Sequence, residues 1–346
     1  MDDDVELDEV RLLMYELIRK TLIIVLCLML SKMLHLNVSV YVVLFAIVVA
    51  TTSFSKHLTH LLQRLMPSVA AAVGAVFVNQ LFADHPFIIW TCCIVYFDHV
   101  RRHADNNLRI RMATLPLFMI IFITTYSNSS GYILAIPNII RDVVLSAFLA
   151  ALVASLVNHL MPVKAQPPKP VVVPQPVYGT DRLKMLILVG GGLAFIMINE
   201  VTSAVFCLVP LITSAMQPTH AHMKQHAIEK ILAQVGGCSL AVIASLIYSG
   251  TEVDVYTYFV VSFLLVYLIL YWSHYSEAGD RAIHADALMG FLIPYQLYVA
   301  KNGNDFGLHS IALRAVELII ALLIIYALAH WLNRLGQRNN VGPQPE

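Results

Sequence analysis

Charged side chains interrupt several apolar stretches of this chain, and one such pair has the chemistry for proton exchange. Asp98 and His99 are adjacent in the segment IVYFDHVRRHAD. A carboxylate beside an imidazole can exchange protons near neutral pH, because histidine titrates there and each group shifts the other. The alternative is that both mark a headgroup boundary, since Arg101 and Arg102 follow at once. The segment ILYWSHYSEAGD repeats this arrangement with His274 but has serine in place of the aspartate.

A second set of charges lies at two equivalent places in the chain. Arg141 is followed by Asp142, and Arg314 is followed three residues later by Glu317. Residues three apart share one helix face and can pair. Two guanidinium groups suit a carboxylate substrate; the alternative is that they snorkel to the membrane interface. Glu317 lies about two turns into an apolar span, too deep for easy snorkelling, so Glu317 and Asp98 are the strongest candidates for proton-coupling groups.

A polar and aromatic stripe follows Asp286 in the segment HADALMGFLIPYQLYVA. It includes Tyr295 and is expected to line a cavity for a planar ring. Pro294 in this segment and Pro210 in an earlier one are expected to break their helices, which is tolerated where the exposed backbone faces protein or water.

The histidines do not predict a metal site. His222 and His226 are four residues apart, as zinc ligands often are, but no Cys, Asp or third close ligand accompanies them. The sequence also lacks the HExxH, GxSxG and paired-Asp motifs of enzymes. We therefore predict no metal, no cofactor and no enzymatic activity.

The elements that position these charges are membrane spans. Of the 346 residues, 58% are hydrophobic and 13% are charged, against roughly 25% charged in soluble domains. The net charge of zero gives no indication of nucleic-acid binding. Apolar runs of about twenty residues are long enough to cross a bilayer core of about 30 Å. We predict an all-α membrane protein with twelve transmembrane helices near residues 13–34, 38–53, 60–82, 86–100, 109–127, 137–160, 183–200, 202–216, 228–249, 254–273, 283–300 and 309–333.

The positions of lysine and arginine predict the orientation. With a cytoplasmic N-terminus, eighteen of the 22 basic residues fall on the cytoplasmic side. Both termini and the proline-rich segment 162–180 are then cytoplasmic.

The chain also repeats itself. A shift of 166 residues places His60 on His226 and Arg64 on Lys230 without a gap, and a shift of 173 aligns the later spans. Six spans per half make the two repeats parallel. Span three is expected to meet span nine near the centre through small residues such as Gly237, because small residues favour close helix packing. The predicted organisation is a first repeat (1–161), a proline-rich linker (162–180), a second repeat (181–335) and a tail (336–346).

The second and third spans of each half resemble the fusaric acid resistance and aromatic acid exporter (FUSC-like) proteins of the bacterial inner membrane. The similar stretches are LNVSVYVVLFAIVVATTS with QRLMPSVAAAVGAVF, and TSAVFCLVPLITSAMQPT with EKILAQVGGCSLAVIASL. The resemblance implies an efflux component that exports aromatic or other organic acids and works with a periplasmic membrane-fusion adaptor. Two features differ: large cytoplasmic domains are absent, and the third span has alanines where the family has glycines.

Three functional classes stay open at this point. The first is an exporter of aromatic or other organic acids or toxic small molecules, driven by the proton gradient. The second is a transporter of the major facilitator type, although the Gly-x-x-x-Asp-Arg/Lys stretch of that group is absent and SFSKHLTH stands in its place. The third is a membrane assembly protein without transport activity. The substrate, the coupling ion and the oligomeric state, including a homo-oligomer, stay open.

Overall fold

A computed structural model provides the three-dimensional structure of the chain. It describes residues 2–36, 38–52, 55–127, 136–162, 174, 176–199, 205, 208–217, 220–248, 254–275, 281–298, 316, 319, 320, 323 and 327. The regular structure in these residues is helical, and they contain no strand. The helices are α1 (Asp2–Met33), α2 (Val40–Thr52), α3 (Leu58–Leu81), α4 (Pro86–His103), α5 (Asn107–Ser127), α6 (Ile136–Leu160), α7 (Gly179–Met185), a π-helical turn (Leu186–Gly190), α8 (Gly191–Asn199), α9 (Leu208–Ala215), α10 (His220–Ile247), α11 (Val255–Tyr275) and α12 (Arg281–Tyr298).

Five helical segments are long and apolar enough to cross a membrane. They are Leu58–Leu81, Leu108–Ser127, Asn138–Leu160, Ile228–Ile247 and Val255–Tyr275. Each has at least 20 residues, which matches the length needed to span a hydrocarbon core. The all-helical class and the membrane setting therefore agree with the prediction from the sequence. Twelve transmembrane helices and a parallel repeat stay predictions.

Local sequence explains where the helices that carry the candidate site begin. Helix α4 starts at Pro86, whose fixed φ suits the first helical position and whose missing N–H would have no helical partner there. Helix α7 starts after Tyr178, whose backbone N–H donates to Asp181 Oδ2 at 3.2 Å. An acidic side chain in the first turn that accepts this hydrogen bond stabilises the helix start.

By internal contacts the chain forms two compact units, and each draws on both halves of the sequence. The first unit takes its described residues from Met1–Val73, Leu134–Val171 and Ala233–Leu313. The second takes them from Gly74–Ile133, Val172–Leu232 and Arg314–Glu346. This division differs from the predicted division into two sequential repeats, which is a statement about sequence and stays a prediction.

The first unit is built around α2. Its sequence, VYVVLFAIVVATT, is apolar on every face, and most of its residues are buried. A helix that is apolar all round needs neighbours on all sides, and α1, α6 and α12 pack against it. Helix α11 packs on α1 and α12.

The second unit packs α4 and α5 against α7, α8 and α9. Two glycines permit the close approach. A Cβ atom at Gly190 would collide with the Ile94 side chain, and one at Gly192 would lie 2.9 Å from Leu208 Cδ2. Gly190 and Gly192 therefore lie at close contacts between helices, whereas Gly191 has open space beside it.

Two expectations about individual spans need correction. Helix α12 continues through Pro294, because one lost backbone hydrogen bond does not end a helix that packs tightly on its neighbours. In span eight the described helix is Leu208–Ala215, and the expected break at Pro210 stays a prediction. Gly237 in span nine makes its close contact with Gly290 of α12 rather than with span three.

Candidate functional site

Asp98 is the centre of an ionic cluster in the second unit. Its carboxylate accepts hydrogen bonds from Arg182 Nε at 2.7 Å and Arg182 Nη2 at 2.8 Å. Arg102, one turn further along α4, reaches the same carboxylate at 2.7 Å. The paired geometry of the Arg182 guanidinium makes the contact directional as well as ionic. Helices α4 and α7 are thereby joined by a carboxylate that two cations stabilise in its charged form.

The same contact acts on Arg182, which follows directly after the first turn of α7. Its hydrogen bond to the Asp98 carboxylate raises the pKa of the Arg182 guanidinium, so this residue stays charged at any physiological pH. His99, which was predicted to share a proton with Asp98, is exposed instead. Its ring lies beside that of His103, with 4.5 Å between the ring centroids. A role of Asp98 and His99 in proton movement stays a prediction.

Neighbouring basic groups extend this cluster. Arg101 is buried, and its Nη1 donates to the carbonyl oxygen of Ala104 at 2.8 Å, closing the end of α4. Burial lowers the pKa of Arg101. Lys184 donates to the carbonyl oxygen of Gln217 at 3.3 Å, which connects α7 to the residues after α9.

The π-helical turn holds α7 and α8 in place against α4. A π turn widens the helix and leaves carbonyl groups without their usual partner. Trp90 supplies a partner for one of these carbonyl groups, since its indole N–H donates to the Gly190 carbonyl oxygen at 2.9 Å. This contact lies two turns along α4 from Asp98, so α4 holds the α7–α8 segment at two separate points.

Asp142 is a fully buried carboxylate of the first unit, with 0% of its side chain exposed. Arg141 donates to Asp142 Oδ1 from Nε at 3.2 Å and from Nη2 at 3.0 Å. The other carboxylate oxygen accepts the backbone N–H of Val38 at 3.2 Å. Arg141 itself is 56% exposed, so a buried carboxylate lies directly beside an accessible guanidinium.

A buried pair that the sequence did not single out lies further along the same helix. Arg19 of α1 donates to Asn158 Oδ1 of α6 at 2.6 Å. Asn158 in turn donates to the Ser55 carbonyl oxygen at 3.0 Å. Arg19 and Asn158 are 139 residues apart, and Asn158 and Ser55 are 103 residues apart. The local sequence around these residues does not predict their pairing.

Tyr295 belongs to a buried polar layer in the first unit. Its hydroxyl lies 2.7 Å from the Tyr248 hydroxyl and 2.6 Å from Ser262 Oγ. Next to it, Gln296 accepts from the Tyr258 hydroxyl at 2.9 Å and donates to Ser31 Oγ at 2.5 Å. The rings of Tyr258 and Tyr295 are stacked, with centroids 5.5 Å apart.

This layer differs from the predicted cavity lining. Tyr295 is 0% exposed, so in this conformation its ring packs against protein instead of facing an open cavity. Asp286, at the other end of α12, is partly buried. Contact of Tyr295 or Asp286 with a substrate stays a prediction.

The remaining candidate residues are His274, Arg314 and Glu317. His274 is exposed near the end of α11, edge-on to the Tyr275 ring with 5.7 Å between centroids. Arg314 and Glu317 lie outside the described residues, so their predicted pairing stays a prediction. Among the side chains that the structure describes, no group of three or more His, Cys, Asp or Glu residues is arranged to hold a metal ion.

Part of the chain matches a known protein family. Residues 16–157 match a family described as "Protein of unknown function (DUF2955)". The matched stretch lies within the predicted first repeat. No curated protein matches the chain. No solved structure matches it either. The match names no transporter family, so the resemblance to the FUSC-like group stays a prediction.

Proposed function

We propose that this protein is a secondary transporter of the bacterial inner membrane that exports aromatic or other organic acids. The observation that carries the proposal is Asp142, a fully buried carboxylate in a helical segment apolar enough to cross a membrane. Ionisable groups inside membrane helices are costly, and those that persist mark ion or substrate pathways.

The exposed guanidinium of Arg141 supplies the anion specificity. An arriving carboxylate would compete with Asp142 for the Arg141 N–H groups, since both are planar acceptors that fit the same donor fork. Asp142 would then lose its cationic partner, which leaves the charge of a buried carboxylate uncompensated. Substrate binding would thereby change the charge balance around Asp142, and this is how the residue would link substrate binding to ion movement.

The predicted repeat would place a second copy of this pair at Arg314 and Glu317. The lysine and arginine distribution supports cytoplasmic termini, and with that orientation the Asp98 cluster would lie at the cytoplasmic end of α4. The resemblance to FUSC-like proteins adds a periplasmic membrane-fusion adaptor as partner.

The test is transport by the purified chain in liposomes with an imposed pH gradient, using labelled benzoate as probe. Asp142→Asn keeps the side-chain volume but removes the titratable charge, and we expect it to lower gradient-driven transport at least tenfold. Asp84→Asn is the matched control, because Asp84 is an exposed loop carboxylate and its loss should leave transport unchanged.

Circular dichroism and size-exclusion profiles establish that each variant is folded. An Asp142→Asn variant that is folded and transports at the wild-type rate would show that this carboxylate does not couple transport. A folded wild-type protein that moves none of a panel of aromatic and aliphatic acids would favour the assembly-protein alternative.

A further inference from the structure

Two histidines lie side by side at the end of α4. His99 and His103 are four residues apart, both are exposed, and their ring centroids are 4.5 Å apart. His103 Nδ1 lies 2.8 Å from the His99 carbonyl oxygen. A carbonyl can only accept, so His103 carries its proton on Nδ1, and Nε2 is left with its lone pair available.

Two of these features, the short ring separation and the hydrogen bond from Nδ1 to a carbonyl, are found in two-histidine metal chelates. A histidine that binds a metal commonly donates its other ring N–H to a backbone carbonyl, which fixes the tautomer and orients the ring. Imidazole nitrogens bind zinc at roughly 2.0–2.1 Å, and two rings that share one ion at a right-angled to tetrahedral geometry have centroids about 4.5–5 Å apart. The observed separation of 4.5 Å is at the near end of this range.

We propose that His99 and His103 bind one divalent transition-metal ion, of the class that prefers imidazole: Cu²⁺, Ni²⁺ or Zn²⁺. Among the side chains that the structure describes, no third His, Cys, Asp or Glu completes the group. The ion would therefore keep water or a small anion in its remaining positions. The proposal is independent of the transport activity proposed above.

The surrounding charges permit a cation at this position. Both histidines lie within the last turns of α4, where the negative end of the helix dipole favours positive charge. Two exposed guanidinium groups near these histidines in the sequence contact carboxylates: Arg102 contacts Asp98 at 2.7 Å, a carboxylate shared with Arg182, and Arg109 contacts Asp105 at 2.9 Å. Their positive charge is thus partly neutralised within the cluster.

The experiment is a Cu²⁺ titration of the full-length protein in detergent, followed by electron paramagnetic resonance and by direct measurement of bound copper. Cu²⁺ is the probe because it binds nitrogen sites most tightly in the divalent series. The chain has 14 histidines, so the site is identified by difference between variants. The set is His99→Ala, His103→Ala, the double variant and the control His85→Ala, an exposed histidine at the opposite end of α4.

We expect His99→Ala and His103→Ala each to lose one equivalent of tightly bound copper, and the double variant to lose the same single equivalent. His85→Ala should retain it. Copper binding that is unchanged in both single variants, or that is lost in only one of them, would overturn the proposal. Circular dichroism of each variant separates loss of the ligand from loss of the fold.

Discussion

The close crossing of α10 and α12 gives the most quantitative prediction, at Gly237. A Cβ atom added there would lie 2.5 Å from Gly290 C, 2.5 Å from Phe291 N and 2.6 Å from the Ala287 carbonyl oxygen. All three are backbone atoms, so no side chain can rotate to relieve the collision. Ordinary contact begins near 3.4 Å, and the two helices would have to separate by about 1 Å to reach it.

The adjacent Gly236 is a matched control on the same helix. It is exposed, and a Cβ atom there has nothing within 4 Å. Gly236→Ala should therefore stabilise the helix by about 0.5–1 kcal/mol through backbone entropy. Gly237→Ala gains the same term but incurs an overpacking cost of about 1–3 kcal/mol or more, because rigid backbone must move. Because the entropy term is common to both variants, their free energies of unfolding should differ by the overpacking cost, about 1–3 kcal/mol.

The assay is reversible unfolding in mixed detergent and SDS micelles, followed by circular dichroism. The crossing also brings Cys238 Sγ to 3.7 Å from the Gly290 carbonyl oxygen. Because Gly237→Ala strains this crossing in the folded state, we expect the variant to unfold faster than the wild type. Equal unfolding free energies for the two alanine variants, within about 0.5 kcal/mol, would refute the close crossing.

Three further predictions address the polar clusters and the orientation. Tyr295→Phe removes the hydroxyl that contacts two buried partners, and it should lower the free energy of unfolding by about 1–2 kcal/mol in the same assay. The control is Tyr256→Phe, at a position 74% exposed, which should leave the free energy of unfolding unchanged. Reversal of either charge in the Asp98–Arg182 pair should destabilise the protein, and the double reversal should recover part of that loss in a double-mutant cycle. Additive effects would show that the pair does not interact. A cysteine placed at Gln175 should be inaccessible to a membrane-impermeant thiol reagent in intact cells, and labelling from outside would reverse the predicted topology.

The sequence was sufficient for the class of protein and for most helices of the described part. Apolar runs of span length impose helices because backbone polar groups in lipid must be satisfied within the segment. That constraint is local, so it can be seen in the sequence. The shift of 166 residues in the sequence repeat also relates two observed helix ends, since α3 ends at Leu81 and α10 ends at Ile247. Spatial superposition of the halves stays a prediction.

Pairings across the chain could not be predicted in this way. Asp98 was noticed because it is charged, but its partner Arg182 is 84 residues away and lies just after the proline-rich linker, where an arginine is unremarkable. The polar layer of Tyr248, Ser262 and Tyr295 depends on the register of three helices, which no single segment encodes. Gly236 and Gly237 are identical in sequence terms, and only the direction of each Cα–H bond decides which of them is needed for packing.

The central claim, proton-driven export of organic acids, is most directly tested in everted membrane vesicles, whose cytoplasmic face is outward. With an acidic lumen, a weak aromatic acid distributes passively away from the lumen, so accumulation there requires coupled transport. We predict that vesicles containing the protein accumulate labelled benzoate or a related aromatic acid in the acidic lumen. Collapse of the pH gradient should release the accumulated acid. Vesicles that contain the Glu317→Gln variant should not accumulate it. Accumulation no greater than in vesicles lacking the protein, across a panel of aromatic and aliphatic acids, would contradict the account.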